Sequence, residues 1–533
     1  MKAATLRNYM ALHTWSGLLA GFGLFIAFFA GALTVFHEEL EIWETPSAQT
    51  APMESTARAQ QLIDAFLAAH PEGRKSFALG LPTEAEPELR ISYGDHGHER
   101  EFQLSPQGEL VEQKHESELA HLLYRLHYTA GLPEAWGGYV LGVVCVLYGL
   151  ALVSGVVLYA PGFLKDLFAL RVGKNLKRMW QDAHNAIGIL SLPFHILFAW
   201  SSAVLALGVL LMAPFQYLVF EGKLLNLVQD DIALSAPVKP SGKPAAVLPA
   251  PELIAGLERA APGTRFYHLR YHHIGDAAGQ VEAYGEAPAG QLTRLTAVVA
   301  STSDGSIKRL VTPQNASPGN VFLRGLQSLH FGNFGGYALK WVYFVLGMAG
   351  AFLFYSGNLL WIESRRKRQG LQKRSARLMA GLTLGVCLGS VAGIGALLLV
   401  NKTIGGVQAE EYAYYGVFGL AVLWALVRPP ARAAHELLWL CAALCAALPL
   451  AQWWRSGLDP VSAALAGQWI MPGAAAIAVS FAIGFARMAR AVLRRGLHGD
   501  PASVWSLQAT AAPQAPAAGE AGAMAGEASA LAR

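Results

Sequence analysis

The sequence predicts an α-helical integral membrane protein of about eight transmembrane helices, with two small α+β modules outside the bilayer and a four-helix core made by an internal repeat. Three observations carry that fold class. Of the 533 residues, 53% are hydrophobic and only 15% charged, where a soluble protein has about a quarter charged. Charge-free runs at Ser16–Phe36, Gly137–Leu164, Ala186–Phe220, Trp341–Ile362 and Leu378–Val400 each exceed the roughly 20 residues that cross a hydrocarbon core. Finally, Leu126–Tyr159 and Leu329–Trp361 each begin Leu-His, reach Gly-Gly-Tyr and become a glycine-spaced apolar helix, so one unit is used twice.

Taken in order, residues 1–37 hold the first helix. Its apolar run of 21 residues is longer than the 7–15 of a signal-peptide core, which predicts an uncleaved anchor. Residues 38–134 form the first outer module, residues 135–164 the second helix, and residues 165–183 a basic loop. The third helix (residues 184–220), the second module (221–340), the fourth helix (341–362) and another basic loop (363–377) follow. Residues 378–495 hold four more helices, with shorter apolar runs at Tyr412–Val427, Leu437–Trp454 and Gln468–Ala486. An Ala-rich tail (496–533) is expected to be disordered. In the first module "ARAQQLIDAFLAAHP" reads as helix, and "ELRISYG" and "EREFQLSPQGELVEQ" as strands. The second repeats the plan with "PELIAGLERAAPG", "TRFYHLRYHH", "GQVEAYGE" and "TRLTAVVASTSDGSIKRLV".

Orientation follows from Lys and Arg. Lys165, Arg171, Lys174, Lys177 and Arg178 crowd one connection, and "ESRRKRQGLQKR", "VRPPAR" and "RMARAVLRR" mark every second connection thereafter. The positive-inside rule puts these loops and both termini in the cytoplasm and the modules outside. The net charge of +4 reflects this topology and gives no reason to invoke nucleic acid. Cys145, Cys387, Cys441 and Cys445 all fall within predicted spans, so the outer loops have no disulfide.

Of sixteen histidines, the repeat selects four. His13 and His184 stand at the inner ends of helices one and three, and His127 and His330 at the outer approach to helices two and four. An ionisable group in the bilayer is costly and is read as functional by default, although one interfacial histidine alone reads equally well as a cap. Imidazole is the commonest metal ligand and serves as an axial ligand to haem iron. Two histidines on facing helices can clamp one haem, and chain direction pairs His13 with His184 and His127 with His330. Gly17 and Gly188 follow their histidines by one helical turn, leaving room for a flat macrocycle or for close helix packing. His195, eleven residues after His184, is the reserve ligand: on a straight helix the two share a face about 16 Å apart. His37 beside Glu38 and Glu39 reads as an interfacial cap, and His96, His98, His272 and His273 as solvated surface. No nucleotide-binding glycine loop, HExxH, CxxC or GxSxG is present. Electrons would therefore come from a partner or a membrane carrier.

These features, namely the opening His-x-x-x-Gly helix, the Leu-His…Gly-Gly-Tyr segments and the paired outer modules, resemble the PepSY-associated transmembrane family of bacterial inner-membrane proteins, over about Met1–Arg368. The resemblance implies two b-type haems held by His13, His184, His127 and His330, and PepSY modules that face the periplasm. It implies a ferric-siderophore reductase that releases Fe(II) for iron uptake; the electron donor, a quinol or a cytoplasmic reductase, is left unidentified by the sequence. The alternatives are a non-catalytic PepSY protein that binds peptide or regulates a partner, and a transporter.

Overall fold

The computed structural model describes residues 3–44, 53–83, 86–94, 100–113, 117–160, 175–225, 227–228, 238–288, 290–366 and 374–508. His96, His98, residues 165–174 and 367–373 of the first two basic loops, and the tail beyond residue 508 lie outside the described residues. Three helices frame the first unit: α1 (Ala3–Thr34), α4 (Leu119–Thr129) and α5 (Glu134–Tyr159). Between α1 and α4 come the short α2 (His37–Glu44) and the first module, whose helix is α3 (Ala59–Ala69). The second unit repeats the plan with α6 (Leu176–Leu190), α7 (Leu192–Pro214), α8 (Ala250–Ala260), α9 (Pro318–Phe331) and α10 (Gly336–Ser364).

Among the described residues six helices are long and apolar enough to span a membrane, and seven if α6 and α7 count as one bent span. The sequence predicts eight. The difference is α12 (Val407–Val427), whose first half carries Glu410, Glu411 and three tyrosines and is less apolar. The expected single third helix is broken at Ser191 and bends by 72°. Pro193 in the first turn of α7 has no N–H to give and crowds the carbonyl four residues back. The straight-helix spacing of His184 and His195 therefore does not hold.

The two modules are not separate. Their strands form one eight-stranded antiparallel sheet in the order β4-β3-β2-β1-β5-β6-β7-β8. The first module gives β1 (Ser76–Gly80), β2 (Arg90–Tyr93), β3 (Arg100–Leu104) and β4 (Leu110–Gln113). The second gives β5 (Arg265–His272), β6 (Gln280–Glu286), β7 (Leu295–Ser301) and β8 (Ile307–Val311). The seam is β1 against β5, with Ala78 opposite Arg270. Helix α3 buries Ala59, Leu62, Ile63 and Phe66, the i, i+3, i+4, i+7 stripe of a helix lying on a sheet. These join Leu253 and Leu257 of α8 over Leu79, Ile91, Leu269 and Val281 in one continuous core.

The remaining helices are α11 (Arg374–Thr403), α12, α13 (Pro430–Ser456), α14 (Pro460–Leu465) and α15 (Ile470–His498). Their apolar core, which includes Leu384, Cys387 and Tyr414, is continuous with that of α1 and α5.

Candidate functional site

Each predicted pair is brought together. The rings of His13 and His184 lie with centroids 6.1 Å apart, and those of His127 and His330 at 6.0 Å. A metal bonded at about 2 Å to one nitrogen of each of two imidazoles would hold their centroids about 6 Å apart. The two sites occupy opposite ends of the repeated unit. His127 reaches the carbonyl of Ala27, fourteen residues along α1 from His13, or about 21 Å at the helical rise.

Hydrogen bonds fix which nitrogen of each ring is free. His13 Nδ1 is 2.8 Å from the Ala151 carbonyl and His127 Nδ1 is 2.8 Å from the Ala27 carbonyl. His184 Nδ1 lies 3.1 Å from the Leu353 carbonyl and 3.3 Å from Ser356 Oγ. A carbonyl only accepts, so each of these Nδ1 atoms carries the hydrogen and each Nε2 keeps its lone pair. His330 Nδ1 meets Ser201 Oγ at 2.7 Å. The Ser201 hydroxyl already donates to the Leu197 carbonyl, so it accepts from His330 and the same tautomer results. All four rings thus present an unprotonated Nε2, oriented through the other nitrogen as metal-bound imidazoles are.

His195 has the opposite arrangement. Ser191 Oγ donates to the Ile187 carbonyl and so accepts from His195 Nε2 at 2.9 Å. The Tyr148 hydroxyl, 2.6 Å away, then donates to His195 Nδ1. With both nitrogens engaged, the reserve ligand has no lone pair to give. It sits instead in an aromatic cluster between the two pairs. Phe28 stands 6.0 Å from His195 and 5.9 Å from Tyr148 by ring centroids. Phe198 continues the cluster to His330 at 4.8 Å.

The His127/His330 pair opens on a cavity of about 980 Å³, lined by Phe28, Tyr148, Phe198, Tyr128 and His37 beside the two histidines. That volume is at the upper end of ordinary cofactor pockets. His37 is thus a cavity-wall residue, and its Nδ1 pairs with Glu41 at 3.2 Å. The two glycines expected to admit a macrocycle differ. A side chain on Gly17 would meet open space, and one on Gly188 would touch only Leu353 at 3.6 Å. Closer to the rings are glycines of partner helices: a Cβ on Gly155 would lie 3.0 Å from His13 and one on Gly357 3.2 Å from His184.

Two imidazoles are too few to close a zinc shell, and two are what the axial positions of a haem require. Among the described residues no group of three or more His, Cys, Asp or Glu side chains could hold a bare ion. His272 and His273, read from the sequence as solvated surface, are half-buried and engaged by other groups. His272 lies 3.9 Å from Glu282, and His273 Nε2 lies 3.1 Å from the Val238 carbonyl. Ser201, Ser356 and Tyr148 are absent from the sequence reading. A serine within an apolar run resembles any helix-packing residue until its partner is known.

Comparison with known proteins agrees with this architecture. Residues 10–364 match the family described as the PepSY-associated TM region, and α11–α15 lie beyond the match. A Pseudomonas aeruginosa protein described as uncharacterized is 28% identical over 281 residues, covering 48% of this chain and 67% of its own length. The chain is a multi-pass membrane protein that belongs to the PepSY-associated transmembrane family.

Proposed function

We propose that the protein is a di-haem oxidoreductase of the bacterial inner membrane that reduces a ferric siderophore on its outer side and releases Fe(II). The observation that carries the reading is the pair of bis-histidine sites with one tautomer throughout. His13 and His184 would hold one haem b through Nε2, and His127 and His330 the second. Bound haem would supply one-electron Fe(III)/Fe(II) chemistry. The chain's own part is to orient the ligands, through Ala151, Leu353, Ala27 and Ser201, and to exclude water with the aromatic cluster. The basic loops support cytoplasmic termini and a periplasmic sheet, which puts the His127/His330 cavity nearest the substrate. The sheet modules dock the chelate, and a quinol or a cytoplasmic reductase delivers electrons at the other face. Siderophore oxygens are hard ligands that favour Fe(III), so reduction loosens their grip.

The 72° break between α6 and α7 favours a transporter as second reading, since such proteins bind substrate at broken helices. Against it, the polar groups at this break satisfy one another. The absorption spectrum of purified protein separates the two, and a low-spin paramagnetic resonance signal is expected from bis-histidine iron. Reconstituted, pre-reduced protein should reoxidise when a ferric siderophore is added outside, with Fe(II) trapped by a chelator. His330→Ala should stop that reaction and leave the inner haem reducible. A wild-type rate in the mutant would sink the outward route.

A further inference from the structure

Helix α4 carries His127 in its last turn but supplies no side-chain cap of its own at Glu118. Leu119 N donates locally to Ser117 Oγ at 3.2 Å, but its neighbours are answered from other helices. Glu118 N donates to Glu410 Oε2 of α12 at 3.3 Å, and Ala120 N to Glu44 Oε2 of α2 at 2.9 Å. Asn401 Nδ2 of α11 bridges Ser117 Oγ and Glu410 Oε1, both at 2.9 Å. Lys402 Nζ bonds the Trp43 carbonyl, lies 3.4 Å from the Glu44 carbonyl and stands 3.8 Å over the Trp43 ring. Trp43 Nε1 in turn donates to Gln452 of α13 at 2.9 Å. Nearly two turns beyond Glu118 along α4, Arg125 pairs with Glu411.

These are not surface contacts. Lys402 and Glu410 are each 1% exposed, and charges so buried persist only when paired and hydrogen-bonded. Two carboxyl groups at the start of α4 face the positive end of its dipole, and the Lys402 ammonium beside them is held by the Trp43 and Glu44 carbonyls and the Trp43 ring. Glu410, Lys402, Asn401 and Gln452 all belong to helices outside the family match. We propose that the C-terminal helices are an external cap for α4, in which Glu410 and Lys402 are positioning residues that set His127 against His330. The helix spans about 12 Å from Leu119 to His127, so a displaced start displaces the imidazole. As a statement about α4 this stands alone; its consequence for a bound group rests on the haem reading.

The test uses full-length protein in lipid nanodiscs and reads two quantities. Hydrogen exchange at Glu118–Leu123 should rise at least tenfold in Glu410→Ala and in Lys402→Met, while α9, which carries His330, stays protected. In haem-loaded protein the low-spin signal lost in His330→Ala should shift in Glu410→Ala and leave the other signal unchanged. Glu410→Gln keeps the size and one acceptor oxygen, so it should restore much of the protection; it also serves if the alanine variant does not fold. Equal loosening of α4 and α9, or equal change in both signals, would overturn the cap as a positioning device. If no haem binds at all, the haem reading fails while the exchange result still decides the cap.

Discussion

At the scale of the residue, the side chain's second nitrogen does as much as the first. His13→Ala and His184→Ala should each remove one haem, and His127→Ala and His330→Ala the other. Haem per protein should fall by about half in each single variant, measured by pyridine haemochrome assay. Ser201→Ala removes the acceptor that holds the His330 tautomer, and such partners typically matter about 10-fold to 100-fold in metal affinity. A haem titration of the His127/His330 site should show that loss, and an unchanged affinity would show that the hydroxyl is incidental. The four histidines were legible because the repeat set them at matched addresses. Their acceptors were not, because Ala151, Leu353 and Ala27 contribute backbone carbonyls, which no side-chain pattern marks. His195 misled for a related reason: its spacing from His184 presumes a straight helix, and Pro193 ends it.

At the scale of the element, α2 carries two groups whose hold on a proton the fold strengthens. Burial pushes the Glu44 carboxyl up to about 7, and the hydrogen bond to Glu41 raises the His37 imidazole. The signs run the same way. The folded state holds the Glu44 proton more tightly than the unfolded chain, so stability falls as pH rises between the ordinary carboxyl value and about 7. The His37 contribution is complete at low pH and is lost as pH climbs past its raised value. The Glu44 and His37 contributions to thermal stability should therefore fall from pH 6 to pH 8, read as the difference in slope between wild type and Glu44→Gln. Glu44→Gln should flatten part of that slope and raise stability at pH 8 by about 1 kcal/mol; a slope as steep as wild type would place the titration elsewhere. Most elements were legible from periodicity, including α3, α8 and seven of the eight strands. The exception is β1. Its Ser-Phe-Ala-Leu-Gly is short and does not alternate polar with apolar, being covered on both faces, and that is the strand that joins the modules.

At the scale of the whole molecule, the consequence of β1 is that the modules share one core and cannot be cut apart cleanly. Residues 53–113 expressed alone should expose the β1 edge and Phe77, which stacks on Tyr271 at 4.9 Å. Circular dichroism should then show lost strand content or size-exclusion chromatography a self-associated species, and a stable, monomeric native sheet would contradict this. The sequence revealed the duplication, yet it could not say how the copies meet, because edge-to-edge pairing leaves no mark within either copy. The strand order reads the same from either end, and each histidine pair takes one ring from each copy. This is the geometry of a two-fold homodimer whose protomers have become one polypeptide. Neither half alone holds both rings of either pair, which makes an assembly rule: a chain severed between Tyr159 and Asn175 and supplied as two pieces should reassociate, and neither piece should assemble a complete histidine pair until it does.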